Sequence, residues 1–227
     1  MNSTNKINHL INRLVNRSLE EKYRFNYGSS GLSPIFQRTL ALIGLVIISP
    51  FLLIIAALIR LESPGNAIFT QVRVGENCRR FQFYKFRSMR TSQDPEYVDV
   101  NQLKSDRDGV CSKFYNDPRV TQVGRFLRKY SIDELPQLLN VVKGDMLLIG
   151  PRPALTQESD QYSMKARKRF NAVPGLTGLW QVSGRADTSF EEQISLDIRY
   201  VQEQSWFNDL RILLSTIPVV LLGKGAY

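Results

Sequence analysis

The stretch Leu40–Ile59, LALIGLVIISPFLLIIAALI, decides what kind of fold this chain can have. It carries no charge, and it has the length of a helix that can cross a bilayer, about 20 residues, where a buried core helix would be shorter. The polar leader ahead of it is too long for a cleaved signal peptide, so the segment is expected to stay in the mature protein. Ser49-Pro50 falls at its midpoint, where proline removes a backbone hydrogen bond and clashes with the preceding turn. Membrane helices tolerate such a kink, which leaves a kinked single span and a re-entrant helix both open. The flanks favour the second. Arg13, Arg17, Lys22, Arg24 and Arg38 precede the segment, and Arg60, Arg73, Arg79, Arg80 and Lys85 follow it, whereas a spanning helix is expected to have its cations mainly on one side. A helix that dips in, turns back at Ser49-Pro50 and returns puts both flanks on the cytoplasmic face.

Upstream, Ile7, Leu10, Ile11, Leu14 and Val15 recur at helical spacing and predict either a short amphipathic helix on the membrane surface or a marginal leader. Downstream, Ser63-Pro64-Gly65 is turn chemistry, and AIFTQVRV and RFQFYKF alternate around Gly75-Glu76-Asn77, which predicts a β-hairpin. Thr91–Pro118 reads as a loop with a short helix, Thr156–Phe170 as a solvated helix, and Val173–Arg185 as a glycine-punctuated loop. Ser189–Gln204 is an amphipathic helix opened by a Ser189, Glu192 capping box. The last stretch, WFNDLRILLSTIPVVLLGKGAY, is interrupted by Pro218 and too charged at Asp209 and Arg211 to cross fully, so it is expected to lie on or dip into the interface. The fold class is α+β, mostly α. The expected organisation is a basic leader (1–33), a re-entrant membrane helix (34–62), and a small cytoplasmic catalytic domain with a hairpin and interfacial amphipathic helices (63–227).

The chain has 227 residues and a net charge of +9, enough length for one core and a balance that calls for an anionic partner. Its only histidine is His9, and its two cysteines, Cys78 and Cys111, have no CxxC spacing. A zinc site, a disulfide framework and a histidine-dependent hydrolase are therefore poor readings.

The cationic context is densest around SIDELPQLLNVVKGDMLLIGPRP, Ser131–Pro153, where Asp133 and Glu134 stand side by side at the head of a predicted helix. Ser131 and Glu134 match a capping box, which would make the pair structural. Pro136 fits that frame poorly and fits better if Asp133 is the N-cap. Arg125, Arg128, Lys129 and Arg152 surround the pair in sequence. A cationic helix start binds phosphate, and carboxylates beside phosphate call for a bridging divalent ion, usually magnesium. Adjacent acids also titrate together, so one can remain ionised while its neighbour moves a proton. Beside a membrane segment, the phosphate expected is a lipid's.

YKFRSM (Tyr84–Met89), DPRVTQVGRFLRKYSIDELPQLLNVVKGDMLLIGPRP (Asp117–Pro153) and PGLTGLWQVSGR (Pro174–Arg185) resemble the signature blocks of the bacterial sugar transferase family, monotopic polyprenyl-phosphate hexose-1-phosphate transferases. The resemblance covers Pro34 to Tyr227 and points to the small form of the family. It implies transfer of a hexose-1-phosphate from a UDP-sugar to undecaprenyl phosphate with release of UMP, through a phospho-sugar held on the enzyme. Carried onto this chain, Asp133 would be the nucleophile and a metal ligand for Mg2+ or Mn2+, and Glu134 the acid/base partner. Lys85, Arg87, Arg128, Arg152 and Arg185 would bind phosphates and the nucleotide sugar, and Ser49-Pro50 would match the family's helix break. The implied place is the bacterial inner membrane, with the catalytic domain on its cytoplasmic face. The ending LLGKGAY resembles the galactose- and glucose-phosphate branch, with galactose the first expectation. The sequence leaves the oligomeric state open, a homodimer being one option. Nucleic acid is not an expected partner, since no recognition motif accompanies the charge. Two alternatives remain: another donor, such as glucose or an N-acetylated or diamino sugar, and a catalytically inactive scaffold in a glycan-assembly complex.

Overall fold

A computed structural model describes residues 31–99, 117–184 and 188–223. The amphipathic leader, Cys111 and Arg185 lie outside the described residues. Helix α1 runs over Pro34–Glu62, 29 residues, with a proline in its first turn, where the missing N–H deprives no carbonyl. Its middle is bare: Val46, Ile47, Leu53 and Ile54 are all more than half exposed.

The helix does not break at Ser49-Pro50, as the sequence led one to expect; it stays helical through Pro50. Proline cannot bond the carbonyl four residues back, that of Val46. The Ser49 hydroxyl donates to this same carbonyl at 2.8 Å, the local back-bonding that bends helices. In an apolar surrounding an unpaired carbonyl costs several kcal/mol, so the serine repairs the defect beside it.

Both ends of α1 dock on the same body of protein. At the first end, Gln37 is 1% exposed; its Oε1 accepts from the Leu148 and Ile149 N–H groups at 3.0 and 3.2 Å, and its Nε2 donates to the Leu32 carbonyl. Arg38 Nη2 donates to the Val142 carbonyl at 2.8 Å. At the other end, Ile55 and Ile59 enter a core with Ala67, Phe86 and Leu127.

Strands β1 (Ile68–Val74) and β2 (Arg80–Phe86) form the expected antiparallel hairpin, Thr70 facing Tyr84. Asn77 and Cys78 in its turn take left-handed backbone at φ 51° and 61°. Then follow α2 (Gln122–Lys129), a 3-10 turn (Ile132–Gln137), α3 (Leu138–Lys143), β3 (Leu147–Ile149), β4 (Ala154–Leu155) and α4 (Thr156–Gln161). A second 3-10 turn (Ala166–Asn171), β5 (Gly175–Thr177), α5 (Leu179–Val182), α6 (Phe190–Gln202) and α7 (Trp206–Leu222) complete the described chain. Strand β4 extends the hairpin sheet on the free side of β1, and β3 pairs with β5 in parallel.

Two expectations change here. The helix expected over Thr156–Phe170 is two short pieces, and the loop over Val173–Arg185 contains β5 and α5. Strands of three residues are too short to leave a period. The glycines read as loop signals are there because backbones touch: a Cβ on Gly175 would lie 2.0 Å from the Gly150 nitrogen. Helix α6 is as expected, with both capping-box bonds between Ser189 and Glu192 formed. Helix α7 continues through Pro218 and leaves Trp206, Phe207, Leu214, Ile217 and Leu221 exposed.

Candidate active site

Asp133 and Glu134 do not sit in the capping box their spacing suggested. Ser131 takes a left-handed conformation, φ 55°, its side chain caps nothing, and the acids enter on the six-residue 3-10 turn. Glu134 N–H bonds the Ser131 carbonyl at 3.2 Å. With so short a turn beneath them, any phosphate held here is held by side chains rather than by a helix end.

The fold supplies those side chains. Lys85, on β2, places Nζ 3.8 Å from Asp133 Oδ2, a charge contact longer than a hydrogen bond. Arg152, in the Gly150–Pro153 turn, places Nη1 3.5 Å from Glu134 Oε1 and packs over the Trp180 ring at 5.5 Å. Arg128, at the end of α2, adds its charge to the same field. Four of the expected residues beyond Asp133 itself (Lys85, Arg128, Glu134 and Arg152) thus converge on one place. Asp133 is 6% exposed. Burial first, then the neighbouring Glu134 charge, push its carboxyl up to about 6, while Lys85, Arg128 and Arg152 pull the other way. Burial likewise lowers the Lys85 ammonium from its ordinary value, with Asp133 and Glu134 opposing.

The sign of the resulting pH effect is fixed. The folded protein holds the Asp133 proton over the window from the ordinary carboxylate value near 4 up to about 6. Stability is thus fullest below that window and falls as the pH rises through it, by about 2–3 kcal/mol. In chelator, the melting temperature of Asp133→Asn should pull ahead of the parent's between pH 4 and 6, and a constant gap across that range would refute this.

Two supports were not legible as site residues. Asn140 is fully buried; its Oδ1 accepts from the Tyr84 N–H at 3.1 Å and its Nδ2 donates to the Gln82 carbonyl at 2.6 Å. It thereby acts as a strand partner to β2 and ties α3, and the acids just before it, to the strand that carries Lys85. Arg169 lies in the run KARKR, read as a solvated face, yet it is 1% exposed. It donates to the Arg152 carbonyl at 2.7 Å and the Tyr162 hydroxyl at 2.6 Å, and it pairs with Asp197. The available signal was Asp197, a charge between Ile194, Ile198 and Val201 on the inner face of α6, which had to have a partner.

Arg87 is not among the residues that gather at Asp133. It is 5% exposed and donates to the Ser63, Pro64 and Ile59 carbonyls, at and just past the end of α1, where the chain has no further turn to satisfy its carbonyls. Alternate strand positions face alike, so Arg87 would share the face of Lys85 two residues back if the strand continued; it does not, because it lies past the end of β2.

Among the described residues no group of three or more His, Cys, Asp or Glu could hold a metal, so no all-protein cage exists there. Asp133 and Glu134 still fit magnesium, which takes one or two carboxylates and completes its shell with water and substrate phosphate.

The family model "Bacterial sugar transferase" matches residues 29–223. The chain is 47% identical over 193 residues to "Galactosyl transferase CpsE" of Streptococcus agalactiae serotype III, covering 82% of this chain and 41% of that protein. It is 42% identical over 190 residues to "Exopolysaccharide production protein ExoY" of Rhizobium meliloti, covering 82% and 84%. It is 45% identical over 187 residues to "UDP-glucose:undecaprenyl-phosphate glucose-1-phosphate transferase" of Caulobacter vibrioides, covering 79% and 66%. The gathered residues fall inside the matched region, and the chain belongs to the bacterial sugar transferase family.

Proposed function

We propose that the chain transfers a hexose-1-phosphate from a UDP-sugar to undecaprenyl phosphate and so starts a repeat unit of an exopolysaccharide or O-antigen. The observation that carries this reading is a buried aspartate set among Lys85, Arg128 and Arg152 beside an apolar helix. The names of the relatives support the sugar and the lipid carrier, one with galactose and one with glucose. Galactose is the donor we favour.

Asp133 attacks the sugar-bearing phosphorus of the donor. A P–O bond to the bridging oxygen breaks, UMP leaves with that electron pair, and the phospho-sugar remains on the aspartate as an acyl phosphate. A phosphate oxygen of the lipid carrier then attacks the same phosphorus, which frees Asp133 and gives the diphosphate-linked sugar. Lys85 and Arg128 meet the charge on the transferring phosphate, Arg152 orients the donor through its paired N–H groups, and Glu134 holds or moves a proton at the attacking lipid oxygen. Asp133 and Glu134 would hold Mg2+ or Mn2+, which when bound neutralises charge building on the phosphate oxygens.

We further read α1 as re-entrant, with the catalytic domain on the cytoplasmic face of the inner membrane. What supports this is the docking of both its ends on one body. Among the described residues one helix, α1, is long and apolar enough to cross a membrane, but a crossing helix would carry its two ends to opposite sides. Single cysteines at Ile35 and Leu61 should both react with an impermeant reagent from the same face; labelling from opposite faces would refute the reading. Pro50→Ala returns the missing N–H and should favour a spanning helix, seen as loss of labelling at one of the two sites.

The deciding assay supplies the nanodisc-held protein with magnesium, undecaprenyl phosphate and one UDP-sugar at a time. UMP release with galactose alone supports the reading in full. Release with glucose or an N-acetylated donor corrects the sugar, and silence from folded protein across the panel removes the transferase reading in favour of a scaffold.

A further inference from the structure

The end of α1 is built into the site more deeply than an anchor requires. Ile55 and Ile59 share a core with Phe86, Leu127 and Ile132. Each of the last three is the chain neighbour of a site residue: Phe86 follows Lys85, Leu127 precedes Arg128, and Ile132 precedes Asp133.

A polar contact joins the same elements. The Glu62 carboxylate accepts from the Gln122 N–H at 2.6 Å and the Val123 N–H at 3.1 Å, and the Thr121 hydroxyl takes the next one, from Gly124, at 2.9 Å. These are the first N–H groups of α2, which no carbonyl of that helix can reach. Glu62 stands at the C-terminal end of α1, where the helix dipole disfavours a carboxylate; α2, not α1, accounts for its presence. Helix α2 is also seated against the strand end, since a Cβ on Gly124 would lie 2.0 Å from the Ser88 carbonyl oxygen. Arg87, next to Ser88, grips the α1 carbonyls from the other side. The ends of α1 and β2 and the start of α2 therefore form one joint.

We propose that Glu62 is a positioning residue: by gripping the first two N–H groups of α2, it makes the placement of Arg128 and Asp133 depend on how α1 is seated in the bilayer. This rests on the reading of those two residues as phosphate-binding and nucleophilic. If α1 shifts, α2 loses two caps and its far end moves relative to Lys85. Phosphoryl transfer needs the reacting groups aligned, and a displacement of about 1 Å can cost about a hundredfold.

The test compares Glu62→Ala, Glu62→Gln and Thr121→Ala in the full chain held in nanodiscs. Thr121→Ala removes a cap from the same helix without touching α1. Glu62→Ala should lower kcat by about ten- to a hundredfold and leave KM for the donor within about threefold. Glu62→Gln, whose amide oxygen still accepts from an N–H, should recover most of the loss, and Thr121→Ala should stay within about threefold of the parent. Amide exchange should quicken in Glu62→Ala from Gln122 through Asp133. Unchanged kcat in Glu62→Ala, an equal loss in Thr121→Ala, or faster exchange confined to Gln122 and Val123 would each overturn the proposal. Should the parent turn over no donor, the functional reading fails, and the exchange pattern still decides whether Glu62 holds residues 127–133.

Discussion

Asp133→Asn is expected to lower UMP release by more than about a thousandfold, because an amide offers no anionic oxygen to the phosphorus. Intact-mass measurement after exposure to donor without lipid carrier should find the parent heavier by one phospho-sugar and the variant unchanged. The same variant should melt higher than its parent at neutral pH. Asp133 is kept 6% exposed beside a second carboxylate, and removing its charge relieves both burdens. A dead enzyme of raised stability distinguishes a strained functional group from a structural one, whose loss would weaken the fold. Near-normal turnover in the variant would sink the nucleophile assignment.

The second large effect lies away from the acids. Arg169→Met leaves Asp197 fully buried without its cationic partner, a change that costs about 3–5 kcal/mol in buried pairs. Thermal melting of the detergent-held protein should drop accordingly. Arg169→Met combined with Asp197→Leu should restore most of that loss, since an apolar pair of similar volume needs no charge compensation. Activity should not return with it. The Arg152 carbonyl loses its 2.7 Å donor in both variants, and the guanidinium facing Glu134 loses the support of its own backbone. A double variant as active as the parent would show that Arg169 serves the fold alone.

Much of this was legible in the sequence because the physics is local. A long uncharged run, alternation around Gly75-Glu76-Asn77 and the Ser189, Glu192 pair each specify an element within a few residues, and the structure has all three. That Asp133 and Glu134 gather with the cations Lys85, Arg128 and Arg152 was legible through their crowding and through the family's blocks. What could not be read is what depends on contacts far along the chain. Asn140 bonds β2 across 56 and 58 residues, and nothing near it in sequence announces a strand. Arg87 has the same chemistry as Arg152, and only the arrival of the carbonyls at the end of α1 beside it keeps it away from Asp133. The parallel pairing of β3 and β5 involves three-residue strands, for which periodicity has no meaning. Ser49-Pro50 was legible as a defect but not as a repaired one, because the serine's bond runs to a carbonyl and leaves no trace in composition.

Asp133 follows directly on Ile132, and Ile132 packs against the cluster that Ile55 and Ile59 of α1 enter; on the proposed reading of Asp133 as nucleophile and α1 as re-entrant, the reacting carboxylate lies at a depth set by how α1 is seated in the membrane. On that reading, with α1 held in lipid, the proposed lipid-phosphate acceptor arrives by sliding within a sheet rather than by diffusing through water. Its supply is then a surface density. Diluting a suspension of protein-bearing vesicles in buffer should leave the acceptor-limited rate per vesicle unchanged, whereas adding plain lipid that mixes into those vesicles should slow it in proportion.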